Sequence, residues 1–278
     1  MKITHKLLLV ICSAVAFSAC GPFNFIAKSG DSEMIYHSAF DYYDEGKYSK
    51  ALELFNLAAP YFIGSPRADT IAFYAGTCSY KSGDFDASSM AFDNFRRTYP
   101  RSPFVEDAEY MYAKGFYYAS PDVQKDQSWT NMAIYNINEY LYRYPNSIKK
   151  DVLLENIKEL ELKLKEKSYL SAYTYFKIGR YKSAIKAFEN ALGEYPDSPF
   201  REQILYYTAK AGYLLAKDSY SELQRDRYLN VLDYYYNFVA EFPESKYKRE
   251  LARYEGYSQD FLKQFEKKGQ NAEKKSKK

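Results

Sequence analysis

The chain has 278 residues, 46% of them hydrophobic and 19% aromatic, with 32 Tyr and 19 Phe against one Trp, so it can build a sizeable core from rings that often carry a polar tip. Its 39 Lys and Arg against 36 Asp and Glu give a net charge of +3, and +1 once Lys2 and Lys6 leave with the leader described next. Bulk charge therefore gives no support for a nucleic-acid partner.

Residues 1–19 read as a leader: Lys2 and Lys6, an apolar run from Leu7 to Phe17, then the small residues Ser18 and Ala19 before Cys20. Eleven apolar residues are too few to span a bilayer, which needs roughly 20 in a helix. Phe17-Ser18-Ala19-Cys20 resembles a bacterial lipobox, in which the cysteine is acylated and becomes the new N-terminus. Phe17 stands where leucine is usual. Several acyl chains anchor far more firmly than one, because each buried CH₂ adds roughly 0.8 kcal/mol. Gly21 follows, where an aspartate would resemble an inner-membrane retention signal, so the address expected is the periplasmic face of the outer membrane. With Cys12 in the leader and Cys20 lipidated, Cys78 has no partner for an intrachain disulfide and reads as a core residue.

Residues 20–30 are expected to be a lipidated tether, and residues 31–147 three repeats. Gly46-Lys47-Tyr48 leads to Ala51, Phe55 and Ala58; Gly83-Asp84-Phe85 to Ser88, Phe92 and Phe95; Gly179-Arg180-Tyr181 to Ala184, Phe188 and Ala191. The three frames superpose without gaps. Each describes a helical hairpin: glycine for the reversal, a small residue where two helices approach, and an aromatic four residues on that fills the seam. Tyr99-Pro100, Tyr144-Pro145, Tyr195-Pro196 and Phe242-Pro243, each followed two residues later by Ser, break the units, since proline cannot continue a helix. Residues 148–266 are expected to hold a long connecting helix, repeats four and five and a capping helix, with residues 267–278 a disordered Lys-rich tail. The fold expected is all-α: a tetratricopeptide-repeat superhelix, or α-solenoid, of about five helical hairpins plus a C-terminal helix.

Once the leader is gone the chain holds a single histidine, His37, and no metal-ligand or phosphate-loop spacing, so neither an enzyme nor a cofactor is expected beyond the lipid on Cys20. Function in such arrays comes from the face lined by the first helix of each hairpin. There Tyr36, Phe40 and Tyr43, then Phe73, Thr77 and Tyr80, then Tyr169, Tyr173 and Phe176 recur at i, i+4, i+7 on one helical face. These rings suit a groove for an extended, aromatic-bearing peptide. Rings at helical spacing more commonly pack between neighbouring repeats, and both readings stay open at this stage.

Lipobox, short tether, five hairpins with Tyr-Pro-x-Ser breaks and a long middle helix together resemble the BamD family of outer-membrane protein assembly lipoproteins, over residues 20 to about 265. Ser120-Pro121-Asp122-Val123-Gln124-Lys125-Asp126-Gln127 looks like that family's third-repeat insertion, and Glu241 to Tyr247 resembles its C-terminal break. The resemblance implies a scaffold that binds the POTRA domains of a BamA-like barrel protein, mainly through its C-terminal repeats, and unfolded outer-membrane protein precursors through its N-terminal ones. A tetratricopeptide lipoprotein coordinating cell-wall synthesis, or serving another envelope complex, could share both anchor and repeats. Nutrient-capture lipoproteins similar to SusD are much longer.

Overall fold

A computed structural model describes residues 21–276, so the leader and the acylation expected at Cys20 lie outside the described residues. Among the described residues every regular element is helical. These are α1 (Pro22–Lys28), α2 (Ser32–Asp44), α3 (Tyr48–Ala58) with a 3₁₀ turn (Ala59–Phe62), α4 (Ala68–Lys81), α5 (Phe85–Thr98), α6 (Val105–Ala119), α7 (Ser128–Arg143), α8 (Lys150–Lys177), α9 (Tyr181–Glu194), α10 (Arg201–Lys217), α11 (Ser221–Glu241) and α12 (Lys248–Ser276). Consecutive helices pack on one another as hairpins α2–α3, α4–α5, α6–α7, α8–α9 and α10–α11, with α12 after the last: the tetratricopeptide-like array read from the sequence. None of these helices is long and apolar enough to cross a membrane.

Local chemistry explains the hairpins. Gly46, Gly83 and Gly179 adopt φ of 73°, 79° and 74°, a left-handed conformation that glycine enters without strain. At each, the glycine N–H bonds the carbonyl three residues back (Tyr43, Tyr80 and Phe176) and the next N–H the carbonyl five back (Tyr42, Ser79 and Tyr175), the Schellman pattern that satisfies a helix C-terminus. The small residues that follow, Ala51, Ser88 and Ala184, are wholly buried, as are Phe55, Phe92 and Phe188 four residues on.

The breaks between hairpins share one geometry. Ser102, Ser147, Ser198 and Ser245 each donate their N–H to the carbonyl three residues back, and each Oγ accepts from the N–H two residues on, at 3.0 to 3.3 Å. Ser65 does the same after Phe62 (Oγ at 3.2 Å from the Arg67 N), a fifth break that the proline pattern misses because Gly64, at φ 75°, makes the turn. Ser102 Oγ and Ser147 Oγ also donate back to Asp69 (2.7 Å) and Glu106 (2.8 Å) of the preceding hairpin's first helix.

The helices fall into two compact units, one of residues 21–121 and 126–160, the other of 122–125 and 161–276, so the division lies inside α8. In the first unit, Ile35, Ala39, Leu54, Phe55 and Ile71 form one core, Phe73, Phe92 and Phe95 another, and Ala113, Ile137, Tyr140, Leu153 and Leu160 a third. The second unit is built around Ala172, Phe188 and Ile204, then Tyr206, Phe238 and Leu251.

Two segments differ from expectation. Residues 22–28 form α1 and not a tether: Phe23, Ile26 and Ala27 pack on the first core, and Phe23 meets Tyr42 edge-on at 5.6 Å. The Lys-rich stretch from Lys267 continues α12 to Ser276 and is not a disordered tail: its Lys, Glu, Gln and Ala favour helix, and without a proline the chain carries through Gly269 and Asn271.

Candidate functional site

The first helix of every hairpin carries the same three-place register, and the structure extends it to two sets missed in the sequence: Tyr110, Lys114 and Tyr117 on α6, and Tyr206, Lys210 and Tyr213 on α10. Lysine at the middle place hid them from a search for aromatics.

The leading residue of each set is covered by the residue two after the next break serine. Arg67 lies 4.9 Å from the Tyr36 ring centre, Phe104 stacks on Phe73 at 4.6 Å, Lys149 lies 4.9 Å from Tyr110, Phe200 stacks on Tyr169 at 5.3 Å, and Tyr247 stacks on Tyr206 at 4.1 Å. Ring–ring and cation–ring contacts of this kind add about 0.5–1.5 kcal/mol each to area burial, so the leading rings tie successive hairpins together. Phe40 and Tyr43 likewise meet Tyr74 of α4, at 4.8 and 5.1 Å, and Tyr173 and Phe176 meet Tyr207 of α10, at 4.7 and 5.0 Å. Burial pushes the Tyr43 hydroxyl up to about 12, with Cys78 and Tyr74 adding to it, and burial pushes Tyr169 up to about 12 as well. Both phenols therefore stay protonated and uncharged throughout the physiological range. Of the residues proposed for a peptide groove, Tyr36, Phe40, Tyr43 and Phe73 thus line one inter-hairpin seam after another in the first unit, and Tyr169, Tyr173 and Phe176 do so in the second.

Tyr80 is placed differently. Its ring meets Phe85 at 5.6 Å and Tyr118 at 6.0 Å, and Tyr118, 49% exposed, stacks on Phe85 at 4.9 Å. Gly83, Asp84, Phe85, Asp86, Ala119 and Trp129 line an open depression of about 330 Å³ beside them. Trp129, 37% exposed, rests against Phe116 at 5.5 Å. Burial raises the Tyr80 hydroxyl well above the usual phenol range, followed by Tyr118 and Tyr110. The arrangement offers ring faces and edges next to an open recess with two carboxylates on its rim, suited to an apolar or aromatic side chain on an extended segment.

The two middle lysines are held in opposite ways. Lys114, 5% exposed, donates to the neutral Asn156 Oδ1 at 2.8 Å and lies 4.2 and 4.7 Å from the ring centres of Tyr117 and Tyr118. The Tyr117 hydroxyl in turn donates to Glu159. Lys210 pairs with Glu250 at 2.9 Å and donates to the Tyr206 hydroxyl at 3.0 Å. Burial alone would raise the Glu250 carboxyl, but hydrogen bonds from Tyr254, Lys210 and Tyr206 hold it at about 2. No group of three or more His, Cys, Asp or Glu among the described residues could hold a metal ion.

A model of the outer membrane lipoprotein family YfiO matches residues 28–227, from the end of α1 into α11. The chain belongs to the YfiO family. It is also 25% identical over 186 residues to a Caulobacter vibrioides protein named outer membrane protein assembly factor BamD, covering 63% of this chain and 60% of that one. Relatives with the same name from Neisseria meningitidis serogroup B (24%) and Neisseria gonorrhoeae (23%) each align over 219 residues, 72% of this chain and 81% of theirs. An assembly chaperone of RpL4, Acl4, covers 86% of the chain at 11% identity and a TM-score of 0.28, too low to bear on the fold. Membership of YfiO places the chain in association with the outer membrane, and the matched span takes in the five aromatic registers and all of the Tyr80–Trp129 cluster.

Proposed function

We propose that this chain is a lipid-anchored scaffold subunit for β-barrel assembly in the outer membrane, acting from its periplasmic face and catalysing no reaction of its own. The observation that carries the reading is the family match over residues 28–227, joined to relatives named as outer-membrane protein assembly factors. Cys20 is the residue acylated. The partners are the POTRA domains of a BamA-like barrel protein and unfolded barrel precursors.

The mechanism is passive holding. A precursor with unpaired strand edges is hazardous in water. A preformed face that keeps it near the insertion machinery raises its effective concentration there without an energy source. The Tyr80–Phe85–Tyr118 cluster and Trp129, beside an open recess, supply rigid ring surface for aromatic side chains of such a segment.

Depletion of the protein followed by counting barrels in the outer membrane tests the reading directly. Barrel content should fall while other lipoproteins remain. Unchanged barrels with altered cell-wall synthesis would instead favour a cell-wall coordinator. Crosslinking the native protein should recover a BamA-like barrel, and Tyr118→Ala with Trp129→Ala should weaken binding of a precursor peptide by about tenfold or more, the loss expected when central aromatic contacts are truncated.

A further inference from the structure

The helix α1 is two-sided. Phe23, Ile26 and Ala27 face the first unit's core, with the Lys50 ammonium 5.5 Å from the Phe23 ring centre. Phe25 points away from them and is 71% exposed, with the exposed Pro22 and Lys28 on the same side. Successive helical residues turn by 100°, so positions 23 and 25 lie nearly opposite, and the packing of one commits the other to the outside. An isolated seven-residue helix is marginal in water. This one is held by its docked face, which fixes where Phe25 points.

Phe25 lies five residues beyond Cys20. Two extended steps to Pro22 and three helical steps after it put the two within about 12 Å. Acyl chains at Cys20 therefore bring Phe25 to the headgroup layer, where apolar rings settle about 5–10 Å into the acyl boundary and lysines meet lipid phosphates. We propose that α1 is a membrane-docking element: Phe25 inserts into the leaflet that holds the lipid anchor, Lys28 lies at the headgroups, and the Phe23 face clamps the first unit to the bilayer. The lipid then holds this unit in one orientation on the surface, where a ten-residue tether would let it swing. The proposal rests on acylation at Cys20.

The test uses the full acylated chain in phospholipid vesicles, carrying Phe25→Trp in a Trp129→Phe background so that position 25 is the sole indole. Position 25 is exposed, so the substitution leaves the fold intact, which far-UV circular dichroism checks. The expected result is emission shifted to the blue on vesicle binding and lost when the lipids are brominated near the carbonyl. A second arm inserts ten Gly/Ser residues between Cys20 and Gly21. The lengthened chain should still float with vesicles but with weaker quenching, because effective concentration falls with linker length. A chain that floats while its indole keeps a water-exposed emission overturns the proposal and leaves the anchor standing. Emission that shifts only when a partner protein is added overturns it too, assigning Phe25 to that partner. A chain that neither floats nor carries acyl mass on its N-terminal peptide overturns both.

Discussion

Gly212 on α10 packs against Tyr234 of α11. A Cβ built there would lie 2.8 and 2.9 Å from Cδ2 and Cε2 of Tyr234 and 3.8 Å from Val231 Cγ2. Carbon contacts are comfortable near 3.5 Å, so Gly212→Ala requires the Tyr234 ring, or α11 with it, to move by about 0.7 Å. The ring belongs to the core formed by Tyr206, Phe238 and Leu251, where overpacking costs about 1–3 kcal/mol. Alanine returns about 1 kcal/mol through helix propensity, leaving a net loss of about 0–2 kcal/mol, centred near 1 kcal/mol. Because a repeat array opens locally, hydrogen exchange is the suitable assay: protection of α10 and α11 amides should fall by about tenfold while α2–α5 stay unchanged. Tyr234→Leu alone loses ring burial, yet combined with Gly212→Ala it should be milder than the sum by about 1 kcal/mol, since the smaller side chain clears the new methyl. Unchanged or raised protection in Gly212→Ala, or strict additivity in the double variant, would refute the close approach.

The Glu250 carboxyl titrates at about 2 in the folded chain against an ordinary 4.5, so its contribution is complete above pH 4.5 and is lost as pH falls toward 2. The shift corresponds to about 3 kcal/mol at most. With the side chain 28% exposed we expect about 1–2 kcal/mol, read as an acid-unfolding midpoint that Glu250→Gln makes less steep between those pH values. Lys114→Met leaves the buried Asn156 amide without its donor, a cost of about 1–3 kcal/mol in urea unfolding, whereas Lys114→Met with Asn156→Leu should be near neutral. The Arg201–Glu241 pair, bidentate at 2.5 and 2.7 Å but a third exposed on each side, should contribute under about 1 kcal/mol, and Arg201→Ala should barely move the thermal midpoint.

Reading the repeats from sequence succeeded where a few neighbouring residues carry the physics. Glycine three residues after Tyr43, Tyr80 or Phe176 forces the left-handed reversal, and a serine whose Oγ caps the N–H two residues on needs nothing from elsewhere in the chain. Small residue and aromatic at i and i+4 mark one helix face whatever follows. The break at Ser65 escaped because Ile63 stands where the proline was sought and Gly64 makes the turn instead, and α1 escaped because a short helix exists only through the core it docks on.

What the rings do was decided in three dimensions. Tyr43, Tyr80 and Phe176 hold the same third place in their helices and look alike along the chain. Tyr43 and Phe176 meet Tyr74 and Tyr207 about 31 positions on, whereas Tyr80 meets Tyr118, itself half open to solvent. Lys114 and Lys210 occupy the same place in their helices, but one meets an amide and the other a carboxylate about 40 residues away. The sequence by itself determined the hairpins, their order and their all-helical class, because periodicity, reversal and capping are settled within a turn or two. Only the tertiary structure decided which aromatic faces are sealed between hairpins and which stay open to solvent, because that depends on side chains one whole repeat distant.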